Sequence, residues 1–339
     1  MTLDANIITR DDANALIPVE TSREIIKEAP LASKVLPLMR RLPNMTAKQR
    51  NIPIATSLAN AYFLNGTEPE QKKTTKSTWG NSQLTAEELA VIVPIPEAVL
   101  DDADYDIWGE VKPQIVEALG LAIDNAILFG VNKPASWASA IVPTAITKGN
   151  EVALGTVQVP VSDFTSTGVT DEDTPVTTTT TGSKTKNNII LDIVGEGGVM
   201  SLVEKDGYRV NGFIADSTLE AKFRSYKESY IAPEANGDLG VLAGRSISFD
   251  NSGYFDLDTA LLVGGDFSKA VYAIRQDITY KVLTEAVIFN TDGTVAYNLA
   301  QQDMVALRVV MRLGVQVAVP ATRRKGTAGY PFAVLAPAA

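Results

Sequence analysis
Apolar residues recur along this chain with two periods, and turn residues separate the segments that carry them. Helical spacing is clearest over 106–130, "DIWGEVKPQIVEALGLAIDNAILFG", where Trp108, Val111, Ile115, Leu119, Ala122 and Ala126 step by three or four along one face. Asp106 suits the N-cap and Gly130 the left-handed position past the last turn. Pro113 is expected to distort the helix near Gly109, because its ring removes one backbone donor. Strand spacing marks "RNIPIA" (50–55), "LAVIVPIP" (89–96), "VNGFIAD" (210–216), "TALLVGG" (259–265) and "ITYKVL" (278–283). A further run, "DMVALRVVMRLGVQVAVP", is long enough to cross a large sheet; Val305, Leu307, Val309 and Met311 share one face, with Arg308 and Arg312 on the other. A glycine-loosened helix over 189–207 and a helix opened by a Ser217–Glu220 capping box complete the list. Their order is α+β, without the regular alternation of a doubly wound fold.

Three stretches break the pattern. Residues 1–47 read as an arm: a short helical pattern over 21–39 is cut by Pro30 and Pro37, so it is expected to lie along another surface. Residues 147–187 hold "TSTGVTDEDTPVTTTT", which reads as an inserted, solvated loop; Asp171, Glu172 and Asp173 match no calcium-loop spacing. The third is "AYFLNGTEPEQKKTTKSTWG", residues 61–80. Asn65-Gly66 signals a turn, Glu68, Glu70, Lys72, Lys73 and Lys76 make the tip polar, and Tyr62, Phe63 and Trp79 stand at its ends. Two strands with a long tip and no evident third partner are marginal alone, so this hairpin is expected to be stabilised from outside its own subunit.

Composition narrows the chemistry. The 339 residues contain no Cys and no His, which removes disulfides, the usual zinc sites and every nucleophile paired with His. Carboxylate, Lys or Tyr catalysis stays open on composition alone, but no catalytic, cofactor or metal residues stand out. A net charge of −10 argues against a surface built mainly to grip phosphates. The start lacks a signal-peptide pattern, and no apolar run approaches the ~20 residues of a membrane helix. "GEGG" at 195–198 and "GG" at 264–265 sit in no phosphate-loop frame and read as packing or turn glycines. Asp101, Asp102, Asp104 and Asp106 precede a helix and read as capping and dipole-favouring acids. Arg323, Arg324 and Lys325 form a basic patch, solvated or between subunits.

In their order and spacing these segments resemble the major capsid proteins of tailed bacteriophages, the Hong Kong 97-type fold. "RNIPIATSLANAYFLNGTEPEQKKTTKSTWGNSQLTAEELAVIVPIPEAVLDDADYDIWGEV" is similar to the family's extended loop, return strand and start of the spine helix; "EALGLAIDNAILFG" to that helix's end; "LLVGGDFSKAVYAIRQDITYKVL" and "NLAQQDMVALRVVMRLGVQVAVP" to its late strands. The resemblance implies an N-terminal arm (1–47), an extended loop and return strand (48–100), a peripheral-domain spine helix (101–131), an axial domain (132–285) and the rest of the peripheral domain with the tail (286–339). It implies a subunit that self-assembles through pentamers and hexamers into an icosahedral shell around double-stranded DNA held without sequence-specific binding, with no enzymatic activity. The hairpin would be anchored at home by its aromatic ends and would pair its charged tip with a neighbouring copy. A separate scaffolding protein and a portal are the implied partners, with assembly in the bacterial host cytoplasm, a place in the virion and no membrane contact. Some relatives form Lys–Asn isopeptide crosslinks assisted by Glu; Lys72, Lys73 and Lys76 lie on the corresponding loop, but no Asn and Glu match by motif. An encapsulin-type compartment storing a cargo enzyme shares the fold and is the alternative.

Overall fold
The computed structural model describes residues 33–63, 72–102, 106–157, 189–225, 231–233, 239–290 and 292–338. Most of the expected arm, the hairpin tip with Asn65, Gly66, Glu68 and Glu70, and the Thr-rich stretch over 158–188 lie outside them. The first elements are β1 (Arg40–Arg41), β2 (Gln49–Ser57), β3 (Thr78–Pro96), α1 (Glu97–Asp102), α2 (Ile107–Leu128), α3 (Ile141–Thr147) and β4 (Glu151–Ala153). Next come α4 (Ile189–Val194), α5 (Val199–Lys205), β5 (Gly212–Asp216), α6 (Thr218–Ser225), β6 (Ile231–Pro233), β7 (Leu239–Leu242), β8 (Arg245–Asp250) and β9 (Leu262–Gly265). The chain ends with β10 (Ala270–Leu283), β11 (Val287–Phe289), β12 (Val295–Asn298), β13 (Met304–Val317) and β14 (Phe332–Ala336).

Two larger sheets organise these strands, ordered β1-β10-β13-β3-β2 and β4-β14-β9-β5-β8-β7-β6. β3 is 19 residues long and serves two partners in succession. β2 pairs with its first half, from Gln49 opposite Thr85 to Ser57 opposite Thr78; β13 pairs with its second, from Gly314 opposite Ala86 to Met304 opposite Pro96. The return strand therefore has a third partner over its second half, contrary to expectation, and among the described residues 58–63 and 72–77 lie beyond the ladder. In β13 Leu307, Val309 and Met311 are buried and Arg308 is exposed as the sequence predicts, but Ala306 and Val310 on the Arg308 face are buried too and Arg312 is half-buried.

α2 covers one face of the five-stranded sheet. Ile115 and Leu119 pack on Leu307 and Val309, and each fully buried aliphatic side chain contributes about 1.5–3 kcal/mol. The buried ridge then follows steps of four to Ile123 and Ile127, so the expected Ala122 is exposed. The helix continues through Pro113, and Gly130 takes the left-handed conformation with φ +81°. Its second half joins a core shared by both sheets, in which Ile123, Ala126 and Ile127 meet Met311 and Leu313 from one and Ile214, Val263 and Phe332 from the other.

The seven-stranded sheet is covered on its opposite face by Ile190, Ile193, Val199 and Val203 of α4 and α5 and by Leu219 and Phe223 of α6. α4 and α5 are the glycine-loosened helix, split at 195–198 where Gly197 has φ +81°. Gly264 lies in β9, not in a turn, and a Cβ there would meet the Phe213 ring at 2.8 Å. The expected capping box does not form: the Ser217 N–H donates to the Asp250 carbonyl, and the Glu220 carboxylate takes Arg224. Asp216 supplies the cap instead, accepting from the Thr218 N–H at 2.8 Å.

The expected boundaries at 147, 285 and 286 do not follow the sheets. β4 lies within the stretch read as a loop and pairs with β14, while β10 belongs with β13 in the five-stranded sheet. β14, near the C-terminus, pairs with β9 in the seven-stranded sheet.

Candidate intersubunit surfaces
Beyond the ladder, residues 58–63 and 72–77 run side by side, held by polar ties. The Ala59 N–H donates to Ser77 Oγ at 3.2 Å, and Tyr62 Oη donates to the Lys73 carbonyl at 2.9 Å. Lys73 Nζ lies 5.9 Å from the centre of the Tyr62 ring, within cation–π range. Phe63 is fully exposed and Trp79 is 72% exposed, while Lys72, Lys73 and Lys76 all face solvent. The two aromatic residues do not anchor the hairpin at home as expected. Trp79 stands opposite Ala55 and beside Gly80, where neither neighbour has a side chain large enough to cover an indole.

The basic turn after β13 lies against this root. The Ala321 N–H donates to the Ala55 carbonyl at 2.7 Å, and Arg323 Nη1 donates to Asn60 Oδ1 at 3.0 Å. Arg323 and Arg324 line an open groove with Arg209 and Lys269. Lys325 is exposed like its two neighbours, and its Nζ also lies 2.5 Å from Asp206 Oδ1. Asp206 Oδ2 also accepts from the Tyr330 N–H at 2.8 Å and from Asn150 Nδ2 at 3.1 Å. Burial alone would raise this carboxyl; Lys325, the Tyr330 amide and the Asn150 amide together hold it below the usual range.

At the other end of β3 the charge reverses. Asp101 and Asp102 fall in the last turn of α1 rather than ahead of a helix, so they oppose its dipole instead of capping it. Asp106 precedes α2 but its side chain makes no cap hydrogen bond. All three are exposed, as are Glu97 and Asp303; Asp104 lies outside the described residues. Beside them β11 and β12 form a two-stranded hairpin whose Val287, Phe289, Val295 and Tyr297 are exposed. Sequence reading passed over this hairpin, although Asp292-Gly293 between two short apolar runs is its signature.

A buried carboxylate ties the arm's end to α2. Asp124 accepts from Ser33 Oγ at 2.5 Å, from the Lys34 N–H at 2.6 Å and from the Val35 N–H at 3.4 Å. Burial pushes its pKa up to about 6 against these hydrogen bonds. The same burial, with Asp124 and Asp250 nearby, raises the Tyr254 phenol. In sequence Asp124 read only as an interruption of an apolar run.

Among the described residues no group of three or more acidic side chains gathers to hold a metal, and no helix is long and apolar enough to cross a membrane. Comparison with known proteins is extensive. The major capsid protein of Staphylococcus phage 80alpha is 27% identical over 322 residues, covering 92% of this chain and 85% of that protein. A solved structure from Microbacterium phage Oxtober96 matches at 31% identity with a TM-score of 0.75, covering 98% of this chain and 99% of that one. One from Mycobacterium phage Adephagia matches at 29% identity, also with a TM-score of 0.75, covering 98% and 99%. The phage capsid family matches residues 13–326, nearly the whole length, and the chain belongs to that family.

Proposed function
We propose that this chain is a major capsid protein that assembles through pentamers and hexamers into an icosahedral shell around phage double-stranded DNA. Membership of a capsid family supports a structural role in the virion rather than an enzymatic one. In the Hong Kong 97-type arrangement, α2 serves as the spine helix and the five-stranded sheet as the body of a peripheral domain. The seven-stranded sheet forms an axial domain, and the 58–79 hairpin is the extended loop laid over a neighbouring copy. Scaffolding protein, portal and DNA are the remaining partners, and assembly takes place in the host cytoplasm.

One observation carries the reading. The hairpin root presents Phe63, Trp79 and three lysines that its own subunit leaves uncovered. Heterologous contacts that close into rings account for such a surface. The phage capsid relatives favour a phage head over an encapsulin compartment. Electron microscopy of the purified protein, alone and co-expressed with its scaffold, is the test. Rings of five and six or closed shells are expected, and a monomer under every condition would contradict the reading.

A further inference from the structure
The open groove beside the hairpin root reverses the charge of a chain whose net charge is −10. Arg209 enters it from the turn after α5, Arg323 and Arg324 from the turn after β13, and Lys269 from the residues just before β10. Its two sides are tied together. Tyr208 Oη donates to the Pro320 carbonyl at 2.7 Å, and Thr322 Oγ1 donates to the Asp206 carbonyl at 2.7 Å. Gly207, with φ +88°, permits this approach, since a Cβ there would meet the Thr322 side chain at 2.8 Å. Thr322 and Gly326 exchange backbone hydrogen bonds at 2.8 and 2.9 Å and close the turn that carries Arg323 and Arg324. The fold itself therefore gathers the cations.

Their charge goes unanswered within the subunit. Asp266, the one acid in the lining, is engaged by Ser268 Oγ at 2.5 Å, Asn211 Nδ2 at 3.3 Å and Lys269 Nζ at 3.8 Å. Among the described residues no carboxylate lies within ion-pair distance of Arg209, Arg323 or Arg324. The one hydrogen bond made by these three side chains there is that of Arg323 to Asn60, which is neutral. Like charges held in one groove repel, and an anion from outside relieves that repulsion.

The rest of the lining selects the anion. A protein segment docks through aromatic or aliphatic anchors set in pockets, and the groove exposes none. Tyr208 and Ala321 are buried and Pro320 is half-buried. A single strand would need an exposed ring on which its bases could stack, and that is missing from the lining too. Guanidinium groups without apolar neighbours suit phosphate oxygens, which take bidentate hydrogen bonds and need no further contact. The hairpin lysines differ on this point, standing beside exposed Phe63 and Trp79. We propose that the groove binds the phosphate backbone of double-stranded DNA, through Arg209, Arg323 and Arg324 and without regard to sequence. That this duplex is the packaged genome rests on the proposed shell function; the groove's affinity for it does not.

Salt dependence tests it. Fluorescence anisotropy of a short random-sequence duplex, titrated with the purified chain, is expected to give a plot of log affinity against log salt with a slope of about −3. Arg209→Ala with Arg324→Ala should flatten that slope by about two and weaken binding at low salt by about tenfold or more. Lysine at both positions keeps the charge and should keep the slope. Lys281→Ala with Arg308→Ala removes as much exposed charge from β10 and β13, where the two stand opposite each other, and should change neither quantity. A parent that binds no duplex, or an equal loss from both alanine pairs, would overturn the groove. Tighter binding of a polyglutamate peptide than of the duplex at the same salt would overturn it in favour of a protein partner. Electron microscopy of the same preparations separates the two readings. Shells without duplex binding would sink the groove alone, whereas duplex binding by a chain that never forms rings or shells would keep the groove and contradict the shell.

Discussion

β14 and the root of the 58–79 hairpin both carry aromatic residues, yet their surroundings are opposite. All five residues of β14 are buried, Phe332 and Val334 in the core shared by the two sheets, Ala333 and Leu335 against the α4, α5 and α6 layer. At the hairpin root Phe63 and Trp79 stand in solvent. The chain completes its own core around the first and leaves the second exposed, as the proposed shell contact requires. Stability and assembly should therefore respond to different residues.

The largest stability effect is expected in β14. Phe332→Ala removes a fully buried ring that stacks edge-on against Phe267 at 5.1 Å, and should cost about 3–5 kcal/mol in denaturant unfolding. A comparable loss from Phe63→Ala would erase the distinction between the two regions.

Asp124 sharpens the comparison through pH. Its carboxyl is raised from 3.8 to about 6, so the folded state keeps a proton that the unfolded state has released. The stabilisation is complete below about pH 4 and is lost as pH rises through about 6, a difference of up to about 3 kcal/mol. Asp124→Asn keeps an acceptor for the Lys34 N–H and offers its amide to the Ser33 hydroxyl. Unfolding midpoints of this variant between pH 4 and 7 should lose that slope.

Asp206 works with the opposite sign. Its carboxyl is held below the usual range, so its contribution is present above that range and disappears as pH falls through the lowered value. Asp206→Ala leaves the Tyr330 N–H and the Lys325 ammonium without their partner, while the Asn150 amide keeps the Tyr330 and Phe332 carbonyls, and should cost about 1–3 kcal/mol at neutral pH. The cost should shrink in acid, as measured by chemical denaturation. Trp79→Ala, the smallest expected effect, should change subunit stability by less than about 0.5 kcal/mol.

What could be read in sequence follows the same divide. α2 and the second half of β3 were legible because each has one face more covered than the other and so keeps a clear period, and β13 because of its length and its Arg308, although Ala306 and Val310 bury its other face as well. β14 was not: buried on both faces, "FAVLA" shows a continuous apolar run without alternation. The pairing of β3 with β13 joins residues more than 200 positions apart, which no local pattern encodes. The polar, lysine-bearing hairpin stood out by composition. The setting of Asp101 and Asp102 did not, because they looked like ordinary capping acids until α1 placed them in its last turn. The ion pair of Lys325 was not legible, since its partner Asp206 lies 119 residues earlier and is buried.

The central claim is that the hairpin root serves another copy and not its own fold. The double variant Phe63→Ser, Trp79→Ser tests it most directly, with urea unfolding and electron microscopy run on the same preparation. The account expects a cooperative transition at the parent midpoint together with loss of particles. Normal particles, or a subunit that no longer unfolds cooperatively, would contradict it.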